Sequence, residues 1–180
     1  QAMVFNLIGP LITRNNYSPL VAVLKSKQVP GADDIADAVF EYEDRNVFNE
    51  DTGQPTSIDI VLKNASGQPI IFIESKFDEK EFGGCSVFAD GDCSGMNPIG
   101  AEDSCLLHFI GRKYWLLMAK YGISDTVRHE HQCLFTAHYQ FFREVILTIE
   151  KGGTFVLLSD ERSPVFKCRS GNQEKGLMPF

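Results

Sequence analysis

The sequence predicts an α/β fold on a mixed β-sheet, and three features carry that prediction. Three strand-like runs, Val39–Glu43, Ser57–Lys63 and Ile70–Phe77, follow one another closely enough to form an antiparallel meander. A long stretch from Glu130 to Lys151 repeats its apolar residues at helical spacing and stops at Gly152-Gly153. A final apolar run, Thr154–Leu158, adds a strand after that helix, the alternation expected of helices packed on a sheet. At 180 residues the chain is about the length of one domain, so a single domain over 1–180 is expected.

The remaining elements follow in order. Met3, Leu7, Ile8, Leu11 and Ile12 recur at helical spacing. Gly9-Pro10 should kink or end that helix, because proline lacks an N–H and its ring crowds the preceding turn. Ser18 as N-cap and Pro19 at the first helical position open a second helix that runs to about Lys27. Pro30-Gly31 then breaks the chain. Residues 78 to about 111 carry several glycines, Pro98 and three cysteines without a regular pattern. That length marks an insertion with its own fixings. Arg112 to Tyr121 predicts a helix, and the tail beyond Ser163 reads as a polar loop.

Composition bounds the partners. Apolar residues make up 43% and charged residues 23%, ordinary for a globular chain, and no run is long and apolar enough to span a membrane. The chain opens on Gln1 rather than Met, so its native start is expected upstream. Net charge is -7 with no long run of Lys or Arg, which argues against a broad basic surface for phosphates. Any hold on DNA must therefore rest on a local patch, on metal bridging or on a partner. Five cysteines make an odd number, which suits a reducing, cytoplasmic setting better than a disulfide framework.

The richest segment is the second and third strand-like runs. If Ser66-Gly67 forms a two-residue hairpin turn, Ile60 faces Ile73, Val61 faces Phe72, and Asp59 lies opposite Glu74. Ile58, Ile60, Leu62, Ile71 and Ile73 then share an apolar face, while Asp59, Glu74 and Lys76 share the other. Two facing carboxylates repel unless a cation lies between them, and hard oxygen ligands suit Mg²⁺ or Mn²⁺. Such an ion lowers the pKa of a bound water and offsets charge on a phosphate. Lys76 is placed to orient or deprotonate that water, or to stabilise the transition state. The same three residues on a solvent-facing strand would otherwise be a salt-bridged surface.

Ile58-Asp59-Ile60-Val61, followed by Ile71-Phe72-Ile73-Glu74-Ser75-Lys76, resembles the D...(D/E)-X-K signature of the restriction-endonuclease-like PD-(D/E)XK superfamily. The order of helices, three-strand meander, helix and strand resembles its common core. Ile58 stands where that signature often has proline. His138-Tyr139-Gln140-Phe141-Phe142-Arg143 resembles the helical Gln-x-x-Arg element of a bacterial group of restriction endonucleases, and Gln1 to Asn6 resembles that group's start. The resemblance implies a restriction-endonuclease-like core, with Asp59 and Glu74 as metal ligands and Lys76 as the catalytic lysine.

Further candidates surround this cluster. Glu41 and Glu43 lie on one face of the neighbouring strand, where either offers an extra ligand. Gln140 and Arg143 are neighbours on one helix, placed to touch phosphate or the carboxylates, unless they are plain helix surface. Cys85, Cys93, Cys105 and Cys133 lack close CxxC pairs, yet four thiolates on Zn²⁺ would fix the irregular insertion, with His129 and His131 as substitutes. Some nucleases of the resembled superfamily carry an iron–sulfur cluster on four cysteines instead. Buried free thiols are the alternative to both, and Cys168 is expected unpaired. The expected function is Mg²⁺- or Mn²⁺-dependent hydrolysis of DNA, by endo- or exonuclease action, in restriction or defence. The competing readings are a non-enzymatic nucleic-acid- or protein-binding scaffold and a nuclease for RNA. A homo-oligomer is compatible with all of them.

Overall fold

Apolar strand runs pair into one mixed sheet in the computed structural model, which describes residues 2–79, 82–160, 162–164, 168–170 and 173–175. The side chain of Cys168 falls outside that description. The sheet holds four strands, β1 (Asp37–Glu43), β2 (Ser57–Lys63), β3 (Pro69–Lys76) and β4 (Thr154–Ser159), in that spatial order. The expected meander of β1, β2 and β3 is antiparallel, and β4 adds a fourth strand parallel to β3.

The chain divides into two units. The first comprises Gln1–Glu43, Ser57–Phe77 and Thr148–Glu161, and holds the whole sheet together with α1 (Ala2–Thr13) and α2 (Ser18–Ser26). Val4 and Ile8 of α1 and Leu24 of α2 pack with Ala38, Ile60, Leu62, Ile71 and Ile73 on one sheet face. Contrary to the expected break, α1 runs through Gly9-Pro10 to Thr13. Pro10 lies inside α1 and is exposed, so its lost backbone bond and crowded preceding turn fall on the outer side of the helix. In α2 the N-cap is Tyr17 rather than Ser18, and Pro19 falls within the first turn as expected.

The hairpin between β2 and β3 reaches the expected pairing by a different turn. Asn64 N–H donates to Gln68 O at 3.0 Å, so three residues rather than two form the tip. Gly67 there adopts φ 79°, the left-handed conformation such a turn requires. The Asn64 Oδ1 accepts from the N–H groups of Ser66 and Gln68 and from Ser66 Oγ, holding the tip closed. A bulge between Leu62 and Lys63 then shifts the ladder by one residue and restores Leu62–Ile71, Val61–Phe72 and Ile60–Ile73 as partners.

The second unit comprises Asp44–Thr56, Asp78–Leu147 and Arg162–Phe180. It contains α3 (Arg45–Phe48), α4 (Ser86–Ala89), α5 (Leu106–Phe109), α6 (Tyr114–Lys120), α7 (Ile123–Thr126), and α8 (Phe135–Glu150) as far as Leu147. Its core is aromatic: Tyr114 packs against Phe48, Phe135 and Tyr139, and Trp115 against Phe135. The long helix begins at Phe135 rather than Glu130, because Gln132 bridges to Met96 and Cys133 N–H is donated to Gly95 O. α6 begins at Tyr114, since Arg112 serves the Asn49–Thr52 loop instead. The tail expected to be a loop carries two short paired strands, β5 (Cys168–Ser170) and β6 (Gln173–Lys175). Among the described residues no helix is long and apolar enough to cross a membrane.

Gly153 gives this packing a test. A Cβ added there would stand 2.5 Å from the Phe72 ring and 3.1 Å from Ile70 O, so neither neighbour yields cheaply. Gly153→Ala should cost about 1–3 kcal/mol as overpacking, read as a lower urea midpoint with an unchanged slope.

Candidate active site

The carboxylates and the lysine meet at one end of the sheet. β3 is central, with β2 on one side and β4 on the other, and its C-terminal residues Glu74, Ser75 and Lys76 are all buried. Pairing with β4 continues there through Leu157, Leu158 and Ser159. Pairing with β2 stops at Ile60–Ile73, one step before Asp59 and Glu74 would face each other. The strands part, and side-chain bonds replace the ladder.

Asp59 turns its carboxylate to Ser75. Its Oδ2 accepts from Ser75 N–H at 2.9 Å and from Ser75 Oγ, so the acid occupies the place where a ladder carbonyl would otherwise receive that N–H. Glu74 instead pairs with Lys76, Nζ to Oε1 at 2.8 Å, with both side chains below a tenth exposed. Burial drives the Glu74 carboxyl above the usual carboxylate range; the Lys76 ammonium opposes this, and the Asp59 charge adds to it. The backbone N–H of Asp59 is directed at Glu74 and favours its ionised form. The three predicted residues are thus neighbours, but as an Asp59–Ser75 contact beside a Glu74–Lys76 pair rather than as two opposed carboxylates.

β1 contributes at the same end, since its last residues pair with Ile58 and Ser57. Glu41 has φ 50°, a left-handed conformation that is rare and strained for a side-chain-bearing residue inside a strand. The ladder skips it, and Tyr42 beyond it packs edge-on against Phe72. Glu41 lines a small enclosed space with Asp59 and Phe40, and its Oε2 lies 3.4 Å from Ser57 Oγ. Of the two acids expected on this strand, Glu41 lines that space with Asp59.

Gln140 and Arg143 belong to the second unit. Arg143 is committed to Glu50: Nη2 donates to Glu50 Oε1 at 2.8 Å and Nε to Thr56 Oγ1 at 2.8 Å, with the guanidinium over the Tyr139 ring. Glu50 is 1% exposed and also accepts from Thr56 N–H, Thr56 Oγ and Tyr114 OH. Burial pushes the Tyr114 and Tyr139 phenols up, which keeps both as neutral donors. Gln140 gives its N–H to Phe82 O where α8 departs from helical geometry at His138. Glu50 escaped the sequence reading because Asn49-Glu50-Asp51-Thr52-Gly53 looks like any polar loop. Ser75 escaped it because a serine on an apolar strand face gives no signal of an acid partner.

Among the described residues no three His, Cys, Asp or Glu side chains stand close enough to hold a metal ion by themselves. Asp59 and Glu74 fit a hard cation as two oxygen donors to be completed by water or phosphate. Both Ser75 bonds fall on Oδ2 of Asp59, while the Lys76 ammonium already stands on Oε1 of Glu74 at 2.8 Å.

The protein is thus of the mixed α/β class, and a central strand of its sheet ends in a buried acid–lysine pair beside a second acid. A model of the family described as Restriction Endonuclease associating with ARP matches residues 1–178, and the chain belongs to that family. The resemblance to restriction endonucleases is thereby supported, and with it a nuclease-related role. No curated protein and no solved structure matches the chain.

Two measurements follow. Between the ordinary glutamate pKa and its raised value, Glu74 keeps a proton that the unfolded chain has released. Stability of metal-free protein should therefore fall as pH rises through that window, and the loss is complete above the raised value. Thermal melts in chelator across pH, with Glu74→Gln as reference, check the sign: the variant should lose this slope. Separately, Arg143→Ala leaves Glu50 buried without its cation and should destabilise by about 3–5 kcal/mol in urea unfolding.

Proposed function

We propose that the chain is a metal-dependent nuclease with a restriction-endonuclease-like core, hydrolysing DNA phosphodiester bonds through Asp59, Glu74 and Lys76. The observation that carries this is the buried Glu74–Lys76 pair, placed next to Asp59 at the one point where β2 and β3 part. A carboxylate and an ammonium buried at the end of a central strand, beside the half-buried Asp59, are costly for structure alone. Family membership favours DNA as the substrate and restriction or defence as the setting.

Asp59 and Glu74 would hold Mg²⁺ or Mn²⁺. When bound, such an ion supplies an activated water and neutralises charge on the phosphate. Lys76 sits 2.8 Å from a carboxylate as an ammonium donor, which fits it to stabilise a non-bridging phosphate oxygen as charge develops. Ser75 fixes the Asp59 carboxylate through two hydrogen bonds, so this acid is oriented before substrate arrives. Glu41, bordering Asp59, is the better placed accessory acid. The net charge of -7 implies weak general affinity for DNA, so binding rests on the site itself or on a partner.

Purified protein should cut plasmid or linear DNA with Mn²⁺ or Mg²⁺. Lys76→Ala should lower the rate by about 10²–10⁴-fold while keeping Mn²⁺ binding in calorimetry. Asp59→Asn and Glu74→Gln should lose both. Equal cutting by Lys76→Ala removes the lysine from the mechanism. Mn²⁺ binding indifferent to Asp59 and Glu74 favours a scaffold, and cutting confined to RNA replaces the substrate.

A further inference from the structure

Cys85, Cys93, Cys105 and Cys133 of the second unit come from separate parts of the chain that hydrogen bonds and ring packing tie together. Cys133 N–H donates to Gly95 O at 2.8 Å, two residues from Cys93, and the adjacent Met96 and Gln132 form a bridge. Cys85 N–H donates to Phe135 O at 2.7 Å, two residues beyond Cys133. Cys105 is tied to the same place through Trp115, whose ring packs on Phe135 with centroids 4.6 Å apart. Cys85 and Cys133 each lie within electrostatic reach of Cys93 and Cys105.

Each sulfur also faces an N–H. Gly95 N–H donates to Cys93 Sγ at 3.3 Å, and Trp115 Nε1–H to Cys105 Sγ at 3.4 Å. The backbone N–H groups of Val87 and Phe88 favour the Cys85 thiolate, and that of Phe135 favours the Cys133 thiolate. A neutral thiol is a weak acceptor that gains little from such donors, whereas a thiolate gains much. Sulfurs that each face an N–H are set up as thiolates, the form that ligates a soft divalent cation.

We infer that Cys85, Cys93, Cys105 and Cys133 form a zinc site that fastens the irregular segment 78–111 to the start of α8. Sulfur donors select Zn²⁺ over the hard ions suited to Asp59 and Glu74. The segment needs a fastening, because its longest regular elements, α4 and α5, are four residues each. The sulfurs do not stand at ligating separations in this arrangement, so ligation would require the four side chains to turn toward a common point. Each ligating thiol releases its proton to solvent, with no change of oxidation state.

The test uses the full chain purified without chelator. Elemental analysis should find about one zinc per chain, the stoichiometry of a four-cysteine site, released in step with thiol modification by a mercurial. Cys93→Ser and Cys105→Ser should each cut occupancy at least tenfold, and Cys168→Ser should leave it unchanged. Should the ligand variants prove insoluble, cobalt-substituted wild type decides. Thiolate-to-cobalt charge transfer with tetrahedral ligand-field bands supports the site, and their absence overturns it. The inference is also overturned by metal-free protein that shows four reactive thiols, by iron with sulfide in place of zinc, or by zinc retained in both ligand variants.

Discussion

Glu74 and Lys76 meet inside a strand that also has to build the core, and much of the first unit is arranged around that constraint. Residues two apart on a strand share a face, so a charged pair at 74 and 76 alternates with Ile73 and Ser75 on the opposite side. Ile71 and Ile73 supply the apolar packing under α1 and α2. β3 is held centrally by β2 and β4 as far as Ile73, and by β4 alone beyond it. The strand can therefore end in charge without losing its place in the sheet. An acid–base pair below a tenth exposed is worth little as a fastening, because the desolvation of both ions offsets their attraction. The proposed catalytic role accounts for a pair that stability alone does not favour.

The second unit uses buried charge differently. Glu50 gathers the Tyr114 hydroxyl, the Thr56 N–H and hydroxyl and the Arg143 guanidinium in one closed set of hydrogen bonds, with aromatic rings around it. Every group has a partner, which is the condition under which a buried polar network specifies one conformation. Thr56 is a member of that set. The proposed cysteine site would answer a separate need, since the described residues from 78 to 111 have little helix or strand with which to satisfy their own backbone.

Much of the sheet was legible because alternation is a local property. Ile58-Asp59-Ile60-Val61 and Ile70 to Lys76 announce strands by residue type, and the carboxylate–lysine pattern sits on them. Orientation at the strand ends was not legible. Whether Asp59 faces Glu74 or turns to Ser75 depends on where β2 and β3 part, and the pattern of apolar residues carries no mark of that point. Glu41 shows the same limit: a left-handed residue inside a strand reverses the faces beyond it, and only a glycine would have signalled it in the sequence. Arg143 reads as helix surface because its partner, Glu50, lies far away in the chain and in a segment of ordinary loop composition. Helix starts failed where a distant segment competes for the backbone, as Met96 does for Gln132 ahead of α8.

The hairpin tip has an implication for variation in length. A three-residue turn and a one-residue bulge between Leu62 and Lys63 offset each other, and everything below Leu62–Ile71 is indifferent to how that offset is divided. Loss of one tip residue together with the bulge would leave a tight two-residue turn on the same ladder. The tip is thus a buffer, where insertions and deletions can accumulate in descendants of this chain while the charged end of the sheet stays in alignment.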